Sequence, residues 1–469
     1  MHSSPTRQHF LVTTSSKTYR RSTSILSVAP DSEQVTNNSE SSSNAAIPID
    51  GSLWPDRFPA QEHCSRCGLC ETSFVSKVTD ACAFLGEGMA RMDSMEAKVH
   101  GRARALEDLA WSSSSDSQQQ KDEGRFGVLQ EPIQLAKGIE TEAQWTGCVT
   151  GIALSMLESN MVDAVVCIAN QNDDADSSSS FAVPEPILAR TPKEVLRGRG
   201  VKLSAEAFRA IQDDLNLKEA YVLGTNCADN SPTPEAANDF IEKGLNIKSE
   251  SVLGYEFMQD FKVHVKTMDS YVTKPYFSLP GTIAEPSIAK SCLACFDYTN
   301  GLADVVVGYM GAPLDSKSRM DESFQTIAMR SERGVQMVQM AVKASRLQLH
   351  GKAPGSGGHE SLSSATVAAD SIVLSMVGEK DPPEQGMPAL MGEIMAFAMR
   401  NLGPKGINFA RYSVDYHLLR NYLHILDEWG ETRSNIALPA YAKEIVEHYL
   451  QTDSSFKETV TKIRAKSER

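Results

Sequence analysis

Thr150-Gly151-Ile152-Ala153-Leu154-Ser155-Met156-Leu157-Glu158, and shortly after it Val162-Asp163-Ala164-Val165-Val166-Cys167-Ile168, is where the architecture becomes readable. The first part carries apolar residues at helical spacing, and the second is a β-branched run of strand length. Asn172 to Ser180 is a polar loop, Ala205 to Leu215 a second helical stretch and Ala220 to Gly224 a second strand. Helix and strand alternating on this scale predict an α/β (α+β) fold, a mixed sheet covered by helices. Downstream, Val252 to Val265 alternates as strands do, Ala303 to Tyr309 reads as a buried strand, and residues 322–349 read as helix. Gly351 to Ser364 reads as a flexible connection, Asp381-Pro382-Pro383 as a break, and residues 387–464 as helices interrupted at Gly403-Pro404-Lys405-Gly406.

Seven cysteines stand at metal-ligand spacings around this frame. Cys64, Cys67 and Cys70 form a CxxCxxC run, Cys82 follows, Cys227 lies just past the strand at Ala220, and Cys292 and Cys295 form a CxxC. Two residues between cysteines let a short loop aim both thiolates at one centre. The spacing is compatible with iron–sulfur clusters and with a closed zinc tetrahedron. Disulfides fit poorly, because the total of nine cysteines is odd and no secretory apolar segment precedes them. Cys148 and Cys167 lie in apolar stretches and read as ordinary buried thiols.

The 469 residues carry 60 acidic and 46 basic side chains, a net charge of −14, which argues against a general nucleic-acid binder. No apolar run approaches transmembrane length. Residues 1–30 contain no Asp or Glu but hold Arg7, Lys17, Arg20 and Arg21 among Ser and Thr, the composition of an organelle transit peptide. The expected organisation is therefore a transit peptide and disordered tail over 1–45, a loop-rich cluster module over 51–140, an α/β catalytic domain over 141–350, a linker over 351–386 and a helical region over 387–469. Within the module, Trp111 to Glu123 reads as a solvated insertion.

Other candidates have plainer readings beside them. Trp145-Thr146-Gly147-Cys148-Val149-Thr150 precedes a helix, where small residues and the helix N-terminus suit a phosphate; the plain reading is a glycine-containing cap. Met89, Met92 and Met95 read as a core helix face. His100 and Arg102 could meet an acidic group or simply be surface charge.

Several motifs, in order, resemble the family of the beta subunit of deazaflavin-reducing hydrogenases. They are Cys64 to Cys70, Ala81-Cys82-Ala83-Phe84-Leu85, Val99-His100-Gly101-Arg102, Phe126-Gly127-Val128, Ala143-Gln144-Trp145-Thr146-Gly147, Leu188-Ala189-Arg190-Thr191-Pro192, Tyr255 to Asp260 and Cys292 to Tyr298. Phe409 to His417, with Arg420-Asn421-Tyr422 and Trp429-Gly430, is similar to its chlorophyll-acting branch. The resemblance implies FAD, two [4Fe-4S] clusters that eight family cysteines would fill and of which these seven leave one incomplete or completed by another ligand, reduced ferredoxin as donor, a chlorophyll-type tetrapyrrole as substrate and a chloroplast location. It implies reduction of a ring hydroxymethyl group, with a ring vinyl group as the alternative. Thr146, Gly147 and Thr150 become the candidates for the flavin, and Asp260, His264, Asp297 and Tyr298 for a general acid. Arg411 and Arg420 are candidates for a basic patch that docks ferredoxin.

One departure stands out. Relatives carry a helix, a strand and a cysteine-bearing loop before the helix that leads to Ala220, whereas here Lys202 passes almost directly to Phe208. The eighth family cysteine is missing, and loss of a central strand would open the sheet. A non-catalytic electron-transfer subunit and a zinc-stapled binding module remain the competing classes.

Overall fold

The computed structural model describes residues 10–14, 87–111, 121–139, 143, 145–170, 184–197, 220–314, 319–379 and 383–467. Cys64, Cys67, Cys70 and Cys82, the loop at 172–180 and the stretch from 202 to 215 lie outside them.

The strands of the main sheet are β1 (Phe10–Thr14), β2 (Gln134–Gly138), β3 (Ala164–Asn170), β4 (Pro184–Ala189), β5 (Ala220–Thr225), β9 (Val305–Gly308), β10 (Gln325–Met329) and β11 (Leu347–Lys352). The intervening β6 (Val252–Phe257), β7 (Lys262–Thr267) and β8 (Tyr271–Pro275) form a separate antiparallel sheet. The main sheet runs β11-β2-β10-β9-β5-β1-β3-β4. Its middle strands β9, β5, β1 and β3 are parallel, and antiparallel strands flank them on both sides. Every residue of β9 is buried, as is β5 up to Gly224. This is the burial expected of strands covered on both faces, and it explains their unbroken apolar reading.

The helices that matter here are α1 (Met92–His100), α2 (Cys148–Glu158), α3 (Glu332–Lys343), α4 (Glu360–Ala369), α5 (Ala389–Leu402), α6 (Ile407–Ala437), α7 (Ala440–Thr452) and α8 (Ser454–Ser467). On one face α2 and α3 bury Ile152, Leu154, Met156, Met337 and Val338 against Val165, Leu223 and Val305. On the other, α6 supplies Leu418, Leu419, Tyr422 and Leu423 to a core that includes Phe126, Phe296, Tyr298, Val306, Tyr441 and Tyr449. Gly430, at φ 73°, kinks α6 near its end.

A single carboxylate ties two layers together. Asp304 is fully buried, accepts from Val222 N at 2.8 Å, and takes the Ser331 hydroxyl at 2.8 Å while Ser331 caps α3 through Gly334 N. The strand before it and the helix after it are thereby fixed in register.

Four expectations need correction. Residues 322–349 are not one helix: β10 and β11 bracket α3, because Gln325–Met329 is a fully buried rung of the central ladder. The 351–386 linker contains α4 and a short helix at Ser371–Met376, and Val367, Val373 and Met376 enter the core. The ends of the 111–123 segment are not solvated. Asp122 and Glu123 are buried and ion-paired, to Arg125 and to Arg102, and Trp111 stacks on His448 at 3.6 Å. Finally, Phe10–Thr14 falls in the 1–45 stretch read as a transit peptide and disordered tail, yet it is ordered as β1 in the middle of the sheet. It pairs Phe10 with both Ala164 and Ala220 and fills the gap expected between β3 and β5.

Candidate functional site

Two constellations lie at the end of the sheet where the parallel strands finish, the edge at which α/β folds place ligands. The first is built on thiols. Cys227 lies two residues past Thr225, the end of β5, and its N–H donates to Tyr298 O at 2.9 Å. Asn230 then bridges two loops: its Nδ2 donates to Cys227 Sγ at 2.9 Å and its backbone N to Cys292 Sγ at 3.3 Å. Asp297 N donates to Cys295 Sγ at 3.4 Å. From α6, Asn421 Nδ2 donates to the carbonyls of Cys292 and Cys295 at 2.6 and 2.9 Å. Arg420 forks onto Asp229 at 2.8 and 3.1 Å. Burial tends to raise the Asp229 carboxyl, but Arg420 and His417 outweigh it and hold the group below its usual range. Burial, then Asp229, Cys227 and Cys295, push the Cys292 thiol well up.

Three N–H groups aimed at sulfur suit a thiolate-held centre, since such donors set ligand orientation and electron density. Among the described residues no group of three or more His, Cys, Asp or Glu side chains is gathered closely enough to hold a metal ion by itself. Cys227 and Cys292 are brought together by Asn230, with Cys295 on the same loop as Cys292, and the four remaining candidates lie outside the described residues. Cys148 and Cys167 are buried core thiols, as their surroundings in the sequence suggested.

The second constellation is a hydrogen-bonded chain. His264 on β7 places Nε2 3.0 Å from both carboxylate oxygens of Asp260, and Nδ1 2.9 Å from Tyr271 Oη on β8. Tyr271 Oη also accepts from Met320 N at 2.9 Å, and the Tyr309 hydroxyl donates to Met320 O at 2.9 Å. Tyr309 meets Trp145 edge-on at 6.2 Å. Asp260 and His264 are almost fully buried, and burial lifts the Tyr271 phenol to about 12. The Arg319 guanidinium lies 4.6 Å over the Tyr271 ring. The chain of side chains therefore runs from the buried Asp260 carboxylate through His264 to Tyr271, and the Met320 backbone links Tyr271 to Tyr309.

Of the candidates named from sequence, Asp260 and His264 come together here, whereas Asp297 and Tyr298 sit beside the thiols. Thr146 Oγ1 donates to Gln325, and a Cβ on Gly138 would come within 2.5 Å of Cys148 N. The start of α2 thus faces β2 at close range, and the phosphate expectation for Thr146, Gly147 and Thr150 gains nothing from this packing. The docking patch expected of Arg411 and Arg420 does not form. Arg411 is held by Asp122 at 2.8 Å, and Arg420 is 2% exposed and held by Asp229. His100 meets Gly301 O at 2.7 Å, and the exposed Arg102 pairs with the acidic Glu123 at 2.6 Å. Met89 and Met92 are buried core, with Met95 packed against it. Sequence reasoning missed Tyr271, Tyr309 and Asn230, whose roles depend on the pairing of β7 with β8 and on the return of the Cys292 loop. No local motif marks them.

The fold thus brings cysteine loops to the carboxyl edge of the main sheet, with a buried carboxylate–imidazole–phenol chain on the separate antiparallel sheet. The profile described as coenzyme F420 hydrogenase/dehydrogenase, beta subunit N-term, matches residues 134–208, and the companion profile for the C terminus of the same beta subunit matches 203–354. The chain is 41% identical, over 84% of its length and 83% of the relative's, to a protein named 7-hydroxymethyl chlorophyll a reductase, chloroplastic, from Oryza sativa subsp. japonica. It is 34% identical, over 84% of its length and 95% of the relative's, to an uncharacterised protein of Nostoc sp.. A solved structure of the F420-reducing [NiFe] hydrogenase complex from Methanosarcina barkeri aligns at 17% identity with a TM-score of 0.41, covering 64% of this chain and 93% of that one. The chain belongs to the coenzyme F420 hydrogenase/dehydrogenase beta-subunit family. It is an oxidoreductase.

Proposed function

We propose that this oxidoreductase is a ferredoxin-dependent iron–sulfur flavoprotein that reduces a chlorophyll-type tetrapyrrole in the plastid, converting a ring hydroxymethyl group to methyl. The observation that carries the reading is the likeness to the rice protein, 41% identical over 84% of this chain. The net reaction consumes two electrons and two protons and releases water. A bound flavin supplies two-electron chemistry from one-electron donors, and iron–sulfur centres at Cys64, Cys67, Cys70, Cys82, Cys227, Cys292 and Cys295 supply single-electron transfer.

The chain's own residues handle the proton. The Asp260 carboxylate faces His264 Nε2 and Tyr271 Oη faces Nδ1, a chain along which a proton can be relayed. Tyr271 is the half-buried end of that chain and the group best set to protonate a leaving hydroxyl. Burial of Asp260 and His264 keeps water from short-circuiting the transfer.

The test uses full-length protein prepared without oxygen. Iron, acid-labile sulfide and flavin are measured, and reduced ferredoxin is supplied with the hydroxymethyl and the vinyl substrate in parallel. Turnover of the hydroxymethyl substrate is the expected result. Turnover of the vinyl substrate alone replaces the substrate assignment, and a colourless protein holding only zinc ends the redox reading.

A further inference from the structure

Tyr298 is 1% exposed, and its hydroxyl has no hydrogen-bond partner among the described residues. A buried hydroxyl left unsatisfied is costly, and each such group in a folded protein calls for an explanation, an ion or cofactor being a common one. A phenylalanine would keep the packing without that cost. The backbone here is already committed, since Tyr298 O accepts from Cys227 N at 2.9 Å. The other polar side chains nearby are spent elsewhere: Tyr441 donates to Phe296 O, and Arg420 forks onto Asp229. His417 is 5.7 Å from the Tyr298 ring, but its Nδ1 is held by Ser413 O at 2.6 Å. Cys295 is among the groups close enough to act on the phenol electrostatically.

We propose that the Tyr298 hydroxyl donates a hydrogen bond to sulfur of the iron–sulfur centre held by Cys227, Cys292 and Cys295, and thereby raises that centre's reduction potential. The proposal rests on the iron–sulfur reading given above. A donor on sulfur favours the reduced, more negative state, and hydrogen bonds to sulfur are a recognised control on these potentials. It also gives Tyr298 a role other than acid catalysis. The phenol acts through the centre, as a positioning and tuning residue, and does not touch substrate.

The experiment is a redox titration followed by electron paramagnetic resonance, on anaerobically prepared full-length protein and its Tyr298→Phe variant. The expected result is equal iron and sulfide content with one centre shifted to a more negative potential. An unchanged or more positive potential overturns the proposal. Should Tyr298→Phe fail to load, the wild-type side chain is read directly. Ring-deuterated tyrosine is incorporated in a Tyr441→Phe background, and electron–nuclear double resonance looks for tyrosine-ring deuterons coupled to the reduced centre. Coupling supports the contact, and its absence overturns it. Wild-type protein without iron and sulfide overturns both this proposal and the reading beneath it, an outcome distinct from a loaded protein whose potential ignores the substitution.

Discussion

At the scale of single residues, the His264 pair shows how far chemistry can be read from sequence. Asp260 and His264 both follow from a motif, and they meet with His264 Nε2 3.0 Å from either carboxylate oxygen. Tyr271 does not, because nothing local distinguishes it from any other strand tyrosine. It reaches His264 only through the pairing of Val265 with Val272 and its neighbours. A positioned proton donor contributes roughly 10²–10⁴-fold to rate. Tyr271→Phe is therefore expected to lower turnover about 100-fold while cofactor content and KM stay near wild type. Rate and content measured side by side check this, and an unchanged rate excludes Tyr271 as the donor. The cysteine loops are half legible. Spacing picks out Cys227, Cys292 and Cys295, but Asn230 and Asn421, which orient those loops, enter only with the fold.

At the scale of elements, β-branched runs buried on both faces are the readable part, and α2, β3, β5 and β9 stand within a few residues of their expected places. β10 and β11 escape a sequence reading because a short buried strand and a short mixed, mostly exposed one abut an amphipathic helix with no break between; only the ladder with β2 and β9 separates them. The start of α3 offers a sharp test. A Cβ on Gly334 would lie 2.1 Å from Asp304 O, against backbone that cannot give way. Gly334→Ala should destabilise the fold by about 2 kcal/mol, at the strained end of overpacking effects. A chemical denaturation midpoint equal to wild type would show that the α3 cap can slide away from Asp304.

At the scale of the whole molecule, a buried charge cluster joins distant parts of the chain. Arg125 is fully buried and pairs with Asp122 at 2.9 Å and with Asp415 of α6 at 2.7 Å, while Tyr449 of α7 donates to Asp415 at 2.8 Å. Burial acts to raise the Asp415 carboxyl, but Arg125 and His359 prevail and hold it down to about 2 from 3.8. A carboxylate depressed in the fold contributes stability above its unfolded value and loses it as pH falls through the folded one. Asp415 should thus contribute about 2 kcal/mol at neutral pH, lost between about pH 4 and pH 2. Asp415→Asn should flatten the acid limb of a thermal-stability profile. It should also cost about 3 kcal/mol at neutral pH, because Arg125 keeps Asp122 but loses its second buried carboxylate. An acid limb as steep as wild type would assign acid sensitivity elsewhere.

The placement of Phe10–Thr14 has a consequence for how the protein matures. A segment with the make-up of a disposable leader is also the rung between β3 and β5, laddered to each on either side. Cutting it away would leave β3 and β5 without the strand that ladders them together, so any processing of the N-terminus and the setting of the Cys227 loop at the end of β5 are linked through one strand.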